Sequence, residues 1–398
     1  MIGAPGDGRV TTGAGALQPM SGLLLFGDTE RSAALRHEIP LAIMDPVLFA
    51  EVDGRCVVLT SILEQERIMR ALPGAEVLDL ADCGMKDLVM SGMGRSEAER
   101  ETMARVVREL GIEEAIVPGD FPLALGDRLR DEGIALTVDD DAVESRRRAK
   151  AAAELEGIRA AQRAAEAAMT AAGRLLARAQ PTDDGGLEVD GEHLRAEDVR
   201  ATLRTACAQA GAPCPPDVIV ASLWSGYGHD PGSGPLPSGL PIVVDIWPRD
   251  ERSSCWADMT RTFLVGVPVP EHAELIGAHR RLVETALERA KTAIRPGITG
   301  RELFDMTCDL FESEGHLTQR TAERSDEREG FQFSLGHGVG LEVHEAPSLG
   351  LTGHAPLVAG DVLAIEPGLW DPTVGEVRFE DLVLVTDDGC ETLTRFPL

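Results

Sequence analysis

The chain has 398 residues, 43% of them apolar and 26% charged, with a formal net charge of −29 at pH 7. That length suffices for two domains with separate cores, and the composition is that of an ordinary globular protein. The acidic balance argues against a phosphate-backbone partner, which calls for a basic face, and no apolar run approaches the roughly 20 residues of a membrane-spanning helix. Neither nucleic acid nor a membrane is therefore an expected partner.

Residues 1–20, rich in Gly, Ala, Thr and Pro, lack the compact apolar stretch of a secretory signal and read as a flexible tail. From 21 to 147, short apolar runs alternate with helical spacing. Cys56–Thr60 and Glu114–Gly119 are predicted strands, and Ser96–Leu110 a predicted helix with a serine cap. This is an α/β domain without a glycine-rich phosphate fingerprint, and its His37 has no evident partner. The Ala/Arg/Glu-rich segment Glu144–Pro181 is predicted as one long helix stopped by its proline. It marks the entry to a second domain, 148–398. There an acidic loop (Asp183–Glu192) and helices at Ala196–Ala210, Ala273–Ala293 and Thr299–Gly315 interrupt glycine, proline and short β-runs. The seven cysteines (Cys56, Cys83, Cys207, Cys214, Cys255, Cys308 and Cys390) form no Cys-x-x-Cys pair. A reducing cytoplasm is their natural setting, rather than a disulfide framework or a structural zinc site.

Chemistry becomes visible in the second domain. In "IVVDIWPRDERSSCWADMTRTFLVG", two apolar runs flank a turn-rich "PRDERSS", which predicts a hairpin with Asp245 and Asp258 nearly opposite each other. Alone, Asp245 reads as well as a hydrogen-bonded structural residue. In "GDVLAIEPGLWDPTVGEVRFEDLVLVT", two strands flank "DPTVG", and Glu366 again lies across from Glu380. At roughly 4 Å and an effective dielectric of about 20, each carboxylate pair repels by on the order of 4 kcal/mol. Such a cluster needs protons or cations. Between the two hairpins, "FSLGHGVGLEVHE" places His337 between glycines, where the backbone can approach closely, and His344 at the end of a short apolar strand. Four carboxylates and one imidazole suit Mn²⁺ first, or Co²⁺, Fe²⁺ or Zn²⁺. Two such ions roughly 3.5–4 Å apart would activate a water and stabilise an oxyanion. Arg378 shares a strand face with Glu380, and pairing with Glu376 is its structural alternative.

The motifs "VVDIW", "ADMTRTF", "GHGVGLEVHE", "AIEPGLW" and "VRFED" resemble, in order, those of the pita-bread metallopeptidases. That family includes methionine aminopeptidase, aminopeptidase P and prolidase, with creatinase as a non-metal relative. The resemblance covers about 150–398, and the preceding domain is similar in layout to the creatinase/prolidase N-terminal domain. It implies a pseudo-symmetric α+β catalytic domain with a curved antiparallel sheet, and a homodimer. It also implies two metals held by Asp245, Asp258, His337, Glu366 and Glu380, with Asp258 and Glu380 bridging. Glu366 would accept the proton of the attacking water, His344 would steady the intermediate, and His229 would position substrate or relay a proton. Arg378 and the N-terminal domain favour the Xaa-Pro aminopeptidase or dipeptidase branch. The "WSGYG" stretch, Trp224 to Gly228, departs from that branch. It keeps open a same-fold enzyme acting on a small carboxylate-bearing metabolite, and a non-catalytic binding protein is the alternative of a different class.

Overall fold

In a computed structural model, described for residues 21–324 and 327–398, the chain forms two compact units that divide between Val143 and Glu144. The tail expected at 1–20 lies outside the described residues. In the first unit a mixed sheet runs in the order Glu76–Asp79, Arg55–Thr60, Val47–Val52, Ser21–Gly27, Glu114–Val117, Ala135–Val138. Successive strand side chains point to opposite faces. Leu23, Leu25, Val47 and Phe49 accordingly enter one apolar cluster with Leu35 and Ile68, while Leu24, Leu48 and Ala50 enter another with Met103 and Leu129. Helices thus cover both faces. The helix Arg95–Glu109 begins from Gly94, in extended backbone, and not from Ser96, which falls in its first turn.

In the second unit the long helix is shorter than the sequence suggests, running from Ala152 to Leu176. Tertiary pairing overrides helix propensity before it. Arg147 is drawn to Glu342 and Glu345, Lys150 to Glu345, and Arg148 to Asp361. The helix also ends ahead of Pro181, which lies in the short strand Gln180–Pro181. Its alanine-rich face (Ala165, Ala168, Ala172) packs with Val199, Leu203 and Cys207 of the helix Ala196–Gln209. Both lie against a three-stranded antiparallel sheet of Ile219–Ser222, Pro241–Ile246 and Met259–Leu264. The helices Pro270–Ala293 and Gly300–Ser313, the latter opened by a Thr299–Glu302 capping box, share a second core with a five-stranded antiparallel sheet. Two helix pairs on two antiparallel sheets form the α+β pita-bread architecture.

The two sheets are tied at Arg261. This side chain, 2% exposed, donates to the carbonyls of Thr260 (2.8 Å), Glu380 (2.6 Å), Phe396 (2.8 Å) and Pro397 (2.9 Å), and to Asp381 (2.8 Å). Beside it, the Thr262 hydroxyl donates to the Arg378 carbonyl (2.8 Å) and accepts from the Arg378 N–H (2.9 Å). Arg261→Met fills similar space but leaves these acceptors unpaired. It should cost about 3–5 kcal/mol, read by denaturant unfolding, with Arg261→Lys losing less.

Candidate metal centre

Asp245 is the penultimate residue of the strand Pro241–Ile246 and lies opposite Thr260, not Asp258. Asp258 precedes Met259–Leu264 by one residue, so it lies diagonally across from Asp245 on the same face. The shift arises in the loop between them. An Arg249–Trp256 bridge narrows it, and Asp250 accepts from both the Ser253 N–H (2.8 Å) and its hydroxyl (2.7 Å).

The second acidic hairpin is two ladders rather than one. The outer ladder ends at Gly368 opposite Arg378, and the inner one starts at Ile365 opposite Asp381. Glu366 and Glu380 occupy the break. Their backbone groups bond elsewhere: the Glu380 N–H donates to Thr260 (3.1 Å) and the Glu366 N–H to Leu335 (2.8 Å). The break therefore joins both hairpins to the segment carrying His337.

His337 lies on the strand Gly336–Gly338, paired with Ala364. A Cβ on Gly336 would lie 1.9 Å from the Ala364 oxygen, and one on Gly338 2.3 Å from that of Ala346. Only glycine permits this approach. The imidazole Nδ1 lies 3.1 Å from the Gly338 carbonyl, which assigns it the proton and leaves Nε2 as the free donor atom. Nε2 is 3.6 Å from Glu366 and 3.7 Å from Asp258. His344 packs edge-on against His337 at 4.3 Å, but from a bend ahead of Glu345–Ser348 and not from a strand end. His229, on an exposed loop, lines the same cleft. The closest carboxylate to Arg378 is Asp245 (2.9 Å), followed by Glu366 (3.5 Å) and only then Glu376 (3.7 Å).

Burial, then neighbouring acids, pushes the Asp258 and Glu380 carboxyls well above the usual range. Burial raises Glu366 too, with Arg378 opposing. Burial also opposes the charge of Arg378, but the surrounding acids outweigh it and push its pKa up. The same burial, with His344 beside it, lowers His337 to about 4, and burial with His229 lowers His344. Both histidines are thus neutral near pH 7.

These residues fit divalent ions. Donor atoms of Asp245, Asp258 and Glu380 lie within 4.8 Å of one another, as do those of His337, Glu366 and Glu380, and those of Asp258, His337 and His344. Asp245 Oδ1 and Glu380 Oε1 are buried without a hydrogen-bond partner. Burying such atoms is unfavourable unless something satisfies them, and two dications would balance the four carboxylates. The centre opens into adjoining cavities of about 320 and 470 Å³ that share His229, His337, His344, Glu366 and Arg378. A wider groove of about 770 Å³, along Arg281, Glu288 and Met306, carries none of these groups. The sequence reading left out Asp217, Trp247 and Phe333, which line the cleft, and the Thr260 hydroxyl, which donates to Glu380 (2.8 Å). Of these only Thr260 had a visible signal, its alternation with Asp258.

Residues 156–387 match the model of metallopeptidase family M24. The Xaa-Pro dipeptidase of Pyrococcus furiosus is 33% identical over 207 residues, covering 51% of this chain and 55% of that protein. An uncharacterised peptidase of Bacillus subtilis is 34% identical over 182 residues, 46% of this chain and 47% of that one. The chain thus spans about half the length of the curated relatives it matches. Among solved structures, an Xaa-Pro dipeptidase from Bacillus anthracis superposes with a TM-score of 0.75 at 25% identity, over 95% of this chain and 93% of that one. An X-Pro aminopeptidase from Thermotoga maritima shares the fold, with a TM-score of 0.73 at 22% identity over 95% and 96%.

Each carboxyl held above its ordinary pKa makes the metal-free fold lose stability as the pH rises between the ordinary and the raised value, by about 1.4 kcal/mol per pH unit. Glu380→Gln leaves an acceptor for the Thr260 hydroxyl and removes the ionisable carboxyl. It should stabilise metal-free protein by on the order of 1 kcal/mol while abolishing stabilisation by added Mn²⁺. Thermal unfolding with and without EDTA reads both effects.

Proposed function

Because the chain belongs to metallopeptidase family M24, we propose that it is a binuclear-metal Xaa-Pro peptidase, an aminopeptidase or dipeptidase cleaving the bond before proline. The observation that carries this reading is the meeting of five ligand-type side chains in one cleft beside Arg378. Asp245, Asp258, His337, Glu366 and Glu380 would hold the ions. Asp258 and Glu380 each group with Asp245 and also with His337, which supports bridging roles for them. Bound there, two divalent ions, Mn²⁺ first, supply Lewis acidity and a nucleophilic hydroxide at neutral pH.

The remaining work falls to the side chains. Glu366, at the cleft wall, takes the proton from the attacking water. His344 is neutral and keeps an N–H for the oxygen that becomes negative at the scissile carbonyl. His229, which lines the same cavities, positions the peptide or passes a proton to the leaving nitrogen. Arg378 fixes Asp245 and Glu366 and offers positive charge to a substrate carboxylate. Seven cysteines with no Cys-x-x-Cys pair fit a reducing cytoplasm, and among the described residues no helix is long and apolar enough to cross a membrane. A homodimer is the assembly this reading expects.

Mn²⁺-loaded protein should hydrolyse Xaa-Pro dipeptides or Xaa-Pro-initiated peptides and lose turnover in EDTA. Asp258→Ala should abolish both turnover and binuclear loading, and His344→Ala should lower kcat by about 10²-fold or more. Cleavage of small amidic metabolites with none of Xaa-Pro peptides would overturn the peptidase reading.

A further inference from the structure

We propose that Glu376 is a specificity residue that receives a basic side chain, Lys or Arg, of a residue next to the substrate's proline; the proposal rests on the peptidase reading above. Glu376 lies on the strand Gly375–Arg378, two residues from Arg378, so both side chains leave the same face of the strand. It lines the larger of the two adjoining cavities with Tyr227, Phe333 and His344. It belongs to none of the three groups of potential metal donors among the described residues. Two dications would neutralise the four ligand carboxylates, which leaves Glu376 and Arg378 as the charged groups of this cavity outside the ligand set.

The plain alternative is that Glu376 only balances Arg378. The geometry speaks against a dedicated pair. Arg378 Nε is 3.7 Å from Glu376, beyond hydrogen-bond reach, and is itself buried without a partner. The guanidinium is committed to Asp245 at 2.9 Å instead. No hydrogen-bond donor among the described residues reaches the Glu376 carboxylate, whose side chain keeps 14% exposure toward the cavity. An incoming ammonium or guanidinium would supply the missing donors. A charge-assisted hydrogen bond in such a half-closed site is among the stronger polar contacts.

The surroundings suit a cation. Tyr227 and Phe333 line the same cavity, and each already takes a guanidinium near its ring, Arg328 at 4.9 Å and Arg378 at 5.7 Å. Glu376 is close enough to Tyr227 to oppose ionisation of its phenol, after burial itself. The net charge of −29 adds a long-range field that favours approach of basic peptides.

The test compares Mn²⁺-loaded wild-type protein with Glu376→Gln on Arg-Pro, Leu-Pro and Glu-Pro dipeptides and on Leu-Pro-Arg, Leu-Pro-Leu and Leu-Pro-Glu. The wild type should favour a basic residue on one side of proline by about tenfold in kcat/KM over its neutral counterpart. Glu376→Gln should erase that preference through a raised KM for the basic peptides alone. An equal fall in kcat across the whole panel would show that Glu376 acts only through Arg378 and would overturn the proposal. So would an unchanged ratio between basic and neutral peptides. Wild-type inactivity toward every peptide would overturn the peptidase reading, and this one with it.

Discussion

Four carboxylates, those of Asp245, Asp258, Glu366 and Glu380, meet in one buried place, and their mutual repulsion is the constraint on which the second unit turns. Each close pair opposes folding by on the order of 4 kcal/mol at an effective dielectric of about 20. A single buried guanidinium, Arg378, cannot balance four acids. The fold holds them there by other means. The strands break where Glu366 and Glu380 sit, and the freed backbone groups bond to Leu335 and Thr260. Arg261 then clamps the two acidic hairpins through four carbonyls and Asp381.

This expenditure of stability is intelligible in the proposed function. A cluster of hard oxygen donors with one tautomer-fixed imidazole is unfavourable empty and favourable when divalent cations fill it. Metal binding would then offset the repulsion that the fold otherwise bears. The flanking groups divide the task by charge. The histidines His337 and His344 are held neutral by burial, while Arg378 is held charged by its acids. A neutral hydrogen-bond donor and a fixed cation thus stand beside the place where negative charge would develop during peptide hydrolysis.

Much of this was legible in the chain because hairpins and glycines leave local marks. Apolar runs flanking turn-rich segments signalled two strand pairs, and Gly336 and Gly338 signalled a close approach of the backbone, here too close for a Cβ. The register was less legible. Asp258 faces Asp245 diagonally, and Glu366 and Glu380 lie outside their ladders, because loop anchoring by Asp250 and bonding to distant strands set those positions. Long-range ion pairs misled in the same way. Arg147, Arg148 and Lys150 read as helix formers, yet Glu342, Glu345 and Asp361 pull them out of the helix. Phe333 and Asp217 reach the cleft only through tertiary folding, with no spacing to announce them.

The central claim, that these side chains hold a pair of divalent ions, is tested most directly by anomalous diffraction at the manganese edge from crystals grown with Mn²⁺. The account predicts two strong peaks, one beside Asp245 and the other beside His337 and Glu366, with Asp258 and Glu380 between them. A single peak, or none within reach of these five residues, would contradict it.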